Sequence, residues 1–292
     1  MAYFERPNAI GELLKPWRAV AFLAATAASV PLAGACNLVI DDSIAQGGVL
    51  LARVSPVDGT VVWSGDSKIA VTDDGQFLVG IGRDQIAPVI VVAQCGGDKI
   101  TKSVSVVPRQ FDIQRVEGVP QSRVTPPKSV SERIAREAKL VADARANPTA
   151  AEDFLAGFSM PLQGPITGVY GSQRYYNGEP RSPHYGLDVA APNGTPVGAP
   201  APGRVVLAEP DLYFSGGTVI IDHGHGLYST LMHLSRVDVS VGERVERNDL
   251  VGAVGATGRA TGPHLDWRMM LNNDRVDPAL VLEQLPFAPP AQ

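Results

Sequence analysis

Short apolar runs separated by turn residues fill the chain after residue 36. Runs rich in Val and Ile recur at residues 49–51, 61–63, 69–71, 77–79 and 89–92. Asp58-Gly59, Asp74-Gly75 and the Gly-Gly-Asp segment at 96–98 supply turn signals between them. Such spacing predicts a small antiparallel β-sandwich over residues 36–108. We see no cluster of titratable residues there, which indicates a packing or substrate-presenting module without chemistry.

The apolar period changes to a helical one between residues 109 and 155. Four apolar positions fall at helical spacing: Val130, Ile134, Ala138 and Val141. Ser129 and Glu132 offer a capping box at the start of this segment. The pattern predicts a linker with one amphipathic helix that rests its apolar face on a neighbouring domain.

Residues 156–292 return to short apolar runs with many Gly and Pro turns, which predicts a second β domain. The whole chain has 30 Gly and 24 Pro among 292 residues, and this favours turn-rich β structure over long helices. We therefore expect a mainly β fold, with an N-terminal sandwich, a linker helix and a C-terminal β domain. The formal net charge of −5 without a basic block argues against a nucleic-acid partner.

The first 35 residues have the features of a secretory signal peptide. Lys15 and Arg18 precede an apolar run at residues 19–30, and Ala33 and Ala35 form an A-x-A cleavage signal. The run is shorter than the ~20 residues that a membrane-spanning helix needs. The alternative is an uncleaved anchor or a buried helix. We expect a mature chain without a membrane span, located in the periplasm or cell envelope.

Two cysteines bear on the same question. Cys36 would be the first mature residue, and Cys95 lies in a predicted strand. Two cysteines in a secreted chain predict one disulfide. The alternative is a lipid on Cys36, because residues 32–36 form an imperfect lipoprotein box in which the Leu lies four residues before the Cys.

All the histidines of the chain fall in its C-terminal part, at 184, 223, 225, 233 and 264. His184 and Asp188 share one strand face, but they would lie roughly 13 Å apart on an ideal strand and need a bend to converge, for which Gly186 is available. A His with a carboxylate suits a catalytic zinc site. A structural ion pair would give the same pattern.

A second candidate segment is Gly262 to Arg268. His264, Asp266 and Arg268 alternate along a strand and share one face, which leaves Leu265 and Trp267 for the core. His233 lies in another predicted strand. The pair at 223 and 225 follows an apolar run, and it is either a second metal clamp or a polar turn.

An ordered series of motifs carries a family resemblance over residues 160–282. It comprises His-x-x-x-Asp at 184–188, Met-His-Leu-Ser at 232–235, Val-Gly-Ala-Thr-Gly at 254–258 and Thr-Gly-Pro-His-Leu at 261–265. The series resembles the lysostaphin-type (LytM-like) zinc metallopeptidases. The resemblance implies a LytM-like antiparallel β domain at residues 156–292 that cleaves stem or cross-link peptides of bacterial peptidoglycan.

Carried over by position, the resemblance makes His184 and Asp188 ligands of one Zn²⁺ ion, and His233 and His264 catalytic residues. One position departs, because Asp266 stands where the family has its third ligand, a His. Two residues further on, Arg268 stands where the family usually has an acid. If Asp266 binds zinc through oxygen, the chain is a zinc endopeptidase, which is the function we expect.

If Asp266 instead pairs with Arg268, no tight metal site forms. The chain would then be a degenerate, metal-free LytM-like module that binds the wall and activates a partner amidase. The two readings predict different contacts around Asp266.

Overall fold

A computed structural model of the chain describes residues 35–116 and 127–287. Apart from Ala35, the predicted signal peptide lies outside the described residues. Within those ranges, no helix is long and apolar enough to cross a membrane.

Two facing sheets form the N-terminal part, as the apolar runs predict. One sheet has the order β1-β3-β6 and the other β2-β8-β7-β4-β5. Their strands are β1 (Asn37–Val39), β2 (Ser43–Ala45), β3 (Val49–Ser55), β4 (Thr60–Ser64), β5 (Ser67–Ile69), β6 (Gln76–Gly80), β7 (Val89–Cys95) and β8 (Asp98–Val107). Alternate residues of β7, from Val89 to Cys95, are buried in a core shared by both sheets. Most pairs are antiparallel, but β2 runs parallel to β8.

The predicted disulfide is confirmed, since the Sγ atoms of Cys36 and Cys95 are bonded. A lipid on Cys36 would need the same sulfur atom.

The linker carries one helix, α1 (Ser131–Ala144), after a 3₁₀ turn at Lys128–Val130. The predicted capping box is wrong. Ser129 lies inside the 3₁₀ turn, and the N-cap residue is Val130, which makes no side-chain cap. Val141 and Ala144 pack on a small apolar cluster of Leu207, Leu212, Ile220 and Tyr228, so the helix does rest one face on the C-terminal sheet.

Ten strands form the C-terminal sheet, in the order β10-β13-β20-β17-β16-β15-β18, with β14, β19 and β21 attached at its sides. They are β10 (Ile166–Gly168), β13 (Gly186–Ala190), β14 (Pro196–Gly198), β15 (Gly203–Leu212), β16 (Gly216–Asp222), β17 (Leu227–Val237), β18 (Arg244–Val245), β19 (Leu250–Val254), β20 (His264–Leu271) and β21 (Asp274–Val276). All pairs within this sheet are antiparallel. The predicted fold class, mainly β with a C-terminal antiparallel domain, is confirmed.

Four further elements lie outside these sheets. Strand β9 (Ile113–Val116) runs parallel to β11 (Gln173–Tyr176), which also pairs with β12 (Glu179–Pro180). Helix α2 (Pro278–Gln284) begins after Asp277, whose carboxylate accepts from the Ala279 N–H.

The N-terminal sandwich packs directly on the C-terminal domain. Val49 and Leu78 belong to the same buried cluster as Trp267 and Leu271 of β20. Arg109 pairs with the buried Asp277 at 2.8 Å. Residues from Ala35 onward fall in one compact unit, and the boundaries at 36–108, 109–155 and 156–292 stay predictions.

Candidate metal centre

Two neighbouring strands bring the candidate ligands together. Strands β13 and β20 are antiparallel, and Asp188 lies directly opposite Asp266 in their register. His184 precedes β13 rather than lying on it, so the irregular segment before the strand, and not a bend at Gly186, makes the side chains converge. The His184 Nε2 atom lies 3.0 Å from Asp188 Oδ1 and 3.5 Å from Asp266 Oδ2. All three residues are buried.

Two of these atoms are buried without a hydrogen bond. His184 Nε2 and Asp188 Oδ1 are close, but neither has a partner in hydrogen-bonding geometry. Burial alone would lower the pKa of His184, yet the carboxylates of Asp188 and Asp266 outweigh it and raise that pKa to about 9. The surroundings therefore favour a positive charge at this point.

Asp266 also has a second partner on its own strand. Arg268 donates three hydrogen bonds to its carboxylate, of 2.7, 3.0 and 3.1 Å. Burial would raise the pKa of Asp266, but Arg268 and His184 hold it well below the usual range. Asp266 is therefore ionised, and it faces both Arg268 and His184.

Two more histidines lie beside the three candidate metal ligands. The rings of His233 and His264 are 4.9 Å apart between centroids. His264 Nε2 lies 3.9 Å from Asp188 Oδ1. Burial lowers the pKa of His233 below its ordinary value, so this ring is neutral at pH 7 and can accept a proton.

The three histidines at the site, His184, His233 and His264, are each oriented by a backbone carbonyl group. Their Nδ1 atoms lie within hydrogen-bonding distance of backbone carbonyls, at 3.2 Å from Val169 for His184, 2.9 Å from Thr257 for His233 and 2.8 Å from Gly262 for His264. A carbonyl can only accept, so each Nδ1 carries the proton. The Nε2 atoms are thereby left for a ligand or a substrate.

His233 has an unusual backbone conformation. Its φ is 64°, in the left-handed region that a bulky residue rarely adopts. The residue lies where β17 leaves β20, after the pair Met232–Asp266, and joins β19 at Leu234. This irregularity turns the imidazole towards His264, and backbone strain of this kind is common at functional sites.

Two glycines make room for the carboxylates. A Cβ atom on Gly168 would overlap the carboxylate of Asp188, and one on Gly186 would overlap Asp266 Oδ1 and the Arg268 side chain. Gly186 therefore supplies space for the site, not the bend that the sequence suggested.

His184, Asp188 and Asp266 could hold a metal ion. One ligand atom from each lies within 4.8 Å of the others, and in the part of the chain that the structure describes this is the one such group of His, Cys, Asp and Glu side chains. Ligands of a tetrahedral zinc ion lie about 3.4 Å apart, as bond lengths near 2.1 Å require. The distances of 3.0 and 3.5 Å around His184 Nε2 are close to that value. Because the donor set and the unsatisfied atoms both suit a divalent cation, these residues fit the ion.

The other two histidines belong to a different arrangement. His223 and His225 lie in the turn between β16 and β17, as one of the two sequence interpretations has it, but both rings are buried. His223 Nδ1 lies 2.6 Å from the Pro202 carbonyl, and its Nε2 lies 2.9 Å from Ser229 Oγ. His225 packs on Phe154. Neither belongs to the group of close ligand atoms.

Some contributors to the site carry no motif of their own. The carbonyl groups of Val169, Thr257 and Gly262 orient the histidines, although any residue type supplies a carbonyl. Arg174 lies 3.5 Å from Asp188 Oδ2. The sequence does not reveal the role of Gly168, because that role depends on the close approach of β10 to β13.

Comparisons with known proteins agree with this geometry. The profile of Peptidase family M23 matches residues 182–278. The peptidoglycan DD-endopeptidase ShyA of Vibrio cholerae is 38% identical over 96 residues, which are 33% of this chain and 22% of ShyA. The cell division protein DipM of Caulobacter vibrioides is 33% identical over 168 residues, or 54% of this chain and 26% of DipM. The chain thus spans about a quarter of the length of these curated relatives.

A crystal structure described as a putative peptidase M23 from Pseudomonas aeruginosa extends the likeness beyond the site. It superposes with a TM-score of 0.64 at 29% identity, and the match covers 84% of this chain and 96% of that one. This coverage exceeds residues 182–278, so the likeness includes part of the N-terminal region. The motif series and the fold agree with the match of the Peptidase family M23 profile to residues 182–278.

Proposed function

We propose that this chain is a zinc-dependent endopeptidase that hydrolyses peptide bonds of bacterial peptidoglycan in the periplasm or cell envelope. The observation that carries the proposal is that the side chains of His184, Asp188 and Asp266 converge. Two of their atoms, His184 Nε2 and Asp188 Oδ1, are buried there without a hydrogen bond. Support for the substrate comes from the M23 profile and from relatives named as peptidoglycan endopeptidases. The location rests on the leader and on the disulfide.

His184, Asp188 and Asp266 would hold the ion and leave one coordination position open. Bound zinc supplies a Lewis acid that polarises the scissile carbonyl and acidifies water. Because burial keeps His233 neutral, its Nε2 can accept a proton from the attacking water. The Nε2 of His264, with Nδ1 held by Gly262, can donate to the developing oxyanion.

The experiment that tests the proposed function is digestion of purified peptidoglycan by the mature chain, with the products identified by mass spectrometry. We expect release of peptide fragments that a chelator abolishes and added zinc restores. Cleavage within the glycan strand, or at the amide bond that joins the peptide to the glycan, would contradict the proposal. Digestion that the chelator leaves unchanged would also contradict it.

A second function has one specific observation in its favour. Arg268 engages the Asp266 carboxylate through three hydrogen bonds, as the degenerate, amidase-activating module requires. The same carboxylate still lies 3.5 Å from His184 Nε2, and a metal ligand commonly accepts a hydrogen bond from a neighbouring side chain. We favour the enzyme because a module without metal gives no reason for the unsatisfied Nε2 and Oδ1 atoms.

The pairing also changes the charge of the centre. Two carboxylates would neutralise a divalent ion, whereas two imidazoles and one carboxylate leave one positive charge. The guanidinium of Arg268 adds that charge back beside Asp266. We infer that Asp266 and Arg268 would act together in the place of one neutral ligand and would preserve the Lewis acidity that the ion supplies.

A further inference from the structure

Arg145 is a half-buried cation with unsatisfied hydrogen-bonding capacity, and it contacts the strand next to β20. It follows the last residue of α1, and its Nη2 donates to Thr230 Oγ1 at 2.7 Å. The Tyr228 hydroxyl donates to the backbone carbonyl of Arg145 at 3.2 Å. Its Nε–H is buried and has no hydrogen-bond partner. The side chain is therefore held by Thr230, and its buried Nε–H is left without a partner.

The nearest charges around Arg145 have the same sign. Among residues 35–116 and 127–287, no carboxylate oxygen is paired within 4.0 Å of either Arg145 or Arg275. Burial lowers the pKa of Arg145 to about 10, Tyr228 opposes that shift, and Arg275 and Arg268 add to it. Burying a guanidinium without a counterion is costly, so an anion at this place would stabilise it.

The strand register places these cations on the face that carries the metal ligands. Thr230, which holds Arg145, lies directly opposite Arg268. Arg275 of β21 lies opposite Met270 of β20. Residues directly opposite one another share a face, and residues two apart on a strand lie about 7 Å from each other on that face. Arg268 and Met270 therefore continue the row that starts with Asp266.

Guanidinium groups bind carboxylates through paired hydrogen bonds, and Arg268 is already engaged with Asp266. Arg145 and Arg275 are the cations in this row that retain capacity for a ligand. A peptide whose scissile bond lies at the metal would place a group one or two residues away against them. Peptidoglycan stem peptides carry free carboxylates at such distances.

We propose that Arg145, supported by Thr230 and Arg275, forms a subsite that binds a free carboxylate of the substrate next to the scissile bond. The inference rests on the proposed function, and it narrows the substrate to peptides with an anionic group flanking the cleaved bond. Chains with all carboxyl groups amidated or absent would be poor substrates.

The test compares peptidoglycan before and after its stem-peptide carboxylates are converted to amides with carbodiimide and ammonia. Arg145→Gln removes the charge, and Arg136→Gln is the matched control, because Arg136 lies on the same helix with an exposed side chain. We expect Arg145→Gln to lower kcat/KM on untreated peptidoglycan about 10- to 100-fold, with little change on the amidated form. Equal losses on both forms, or a wild type without preference, would overturn the proposal.

A direct binding measurement does not depend on catalysis. The Nε–H signal of Arg145 in an NMR spectrum of zinc-loaded protein should shift on addition of N-acetyl-D-alanine and stay unchanged with its amide. A signal that responds equally to both compounds, or to neither, would count against the subsite. If the wild type cleaves neither form of peptidoglycan while the NMR response appears, the proposed function fails and the subsite stands. Circular dichroism and zinc content of each variant exclude misfolding as the cause.

Discussion

His223 and His184 are both buried histidines of the same domain, but the two rings differ at one nitrogen. His223 has both ring nitrogens bonded, one to the Pro202 carbonyl and one to Ser229 Oγ. His184 has only Nδ1 bonded, and its Nε2 faces two carboxylates without a hydrogen bond. The first ring is satisfied by its own fold, and the second lacks a partner that a cation would supply.

The surroundings affect the two pKa values in opposite directions. Burial lowers the pKa of His223 to about 4, whereas neighbouring carboxylates raise that of His184 to about 9 in spite of burial. Clustering of histidines along the sequence therefore does not identify a metal site by itself. An unsatisfied nitrogen opposite carboxylates is the feature that distinguishes the candidate site.

The largest expected effect comes from neutralising one ligand. Asp188→Asn keeps the shape of the side chain but removes the charge that holds a cation. We expect at least a ~10³-fold loss of peptidoglycan cleavage and loss of stoichiometric zinc, measured by product release and by elemental analysis. Asp238→Asn, at an exposed arginine pair, is the control and should retain both. Full activity in the ligand variant would show that the centre does not need this carboxylate.

His233 gives a smaller effect on activity that leaves the metal in place. His233→Asn accommodates the left-handed backbone, because Asn adopts positive φ more readily than most residues. We expect kcat to fall about 10²- to 10⁴-fold, as for loss of a general base, with zinc content and thermal stability close to wild type. His233→Ala should lose the same activity and, in addition, some stability in thermal melts. Retained kcat in the Asn variant would rule out the proton-transfer role.

We expect His223 to make the stability of the protein depend on pH between 6.5 and 4. Burial lowers the pKa of His223 from its ordinary value near 6.5 to about 4. The corresponding stability is complete above pH 6.5 and is lost as the pH falls towards 4, by about 3 kcal/mol. In denaturant melts of chelator-treated protein, His223→Gln should show a shallower decline over this window than wild type. Identical slopes in the two proteins would contradict the assignment.

Arg268 sharpens the comparison, because the two candidate functions predict opposite signs. If Arg268 positions Asp266 as a ligand, Arg268→Gln should weaken zinc binding about 10- to 100-fold, as the loss of a supporting contact to a ligand commonly does. If Arg268 keeps Asp266 away from the metal, the same variant should bind zinc more tightly than wild type. Competition with a chelator of known affinity measures the sign, and Arg268→Lys reports whether charge alone suffices.

Much of the fold follows from the sequence, because strand alternation and turn residues act locally. Four of the five apolar runs of the N-terminal part lie within strands, and the run at 69–71 overlaps β5 only at Ile69. The shared face of His264, Asp266 and Arg268 follows from the two-residue period of a strand, and the structure has it. The convergence of His184 with Asp188 is also as expected.

The remaining features depend on contacts between distant segments, which a local pattern does not carry. The left-handed conformation of His233 arises where β17 changes partners, and the space at Gly186 matters only because Asp266 and Arg268 lie across from it. Arg145 reaches Thr230, 85 residues away along the chain, because α1 packs on the sheet. Ser129 does not cap α1, because a 3₁₀ turn that includes it precedes the helix.

Native mass spectrometry of the mature chain, purified without chelator and then titrated with zinc, addresses the ion at His184, Asp188 and Asp266 most directly. We predict one zinc per wild-type chain and none in Asp266→Ala. A wild-type protein that stays metal-free at saturating zinc, while Arg268→Gln acquires one ion, would contradict the zinc endopeptidase and leave the wall-binding module.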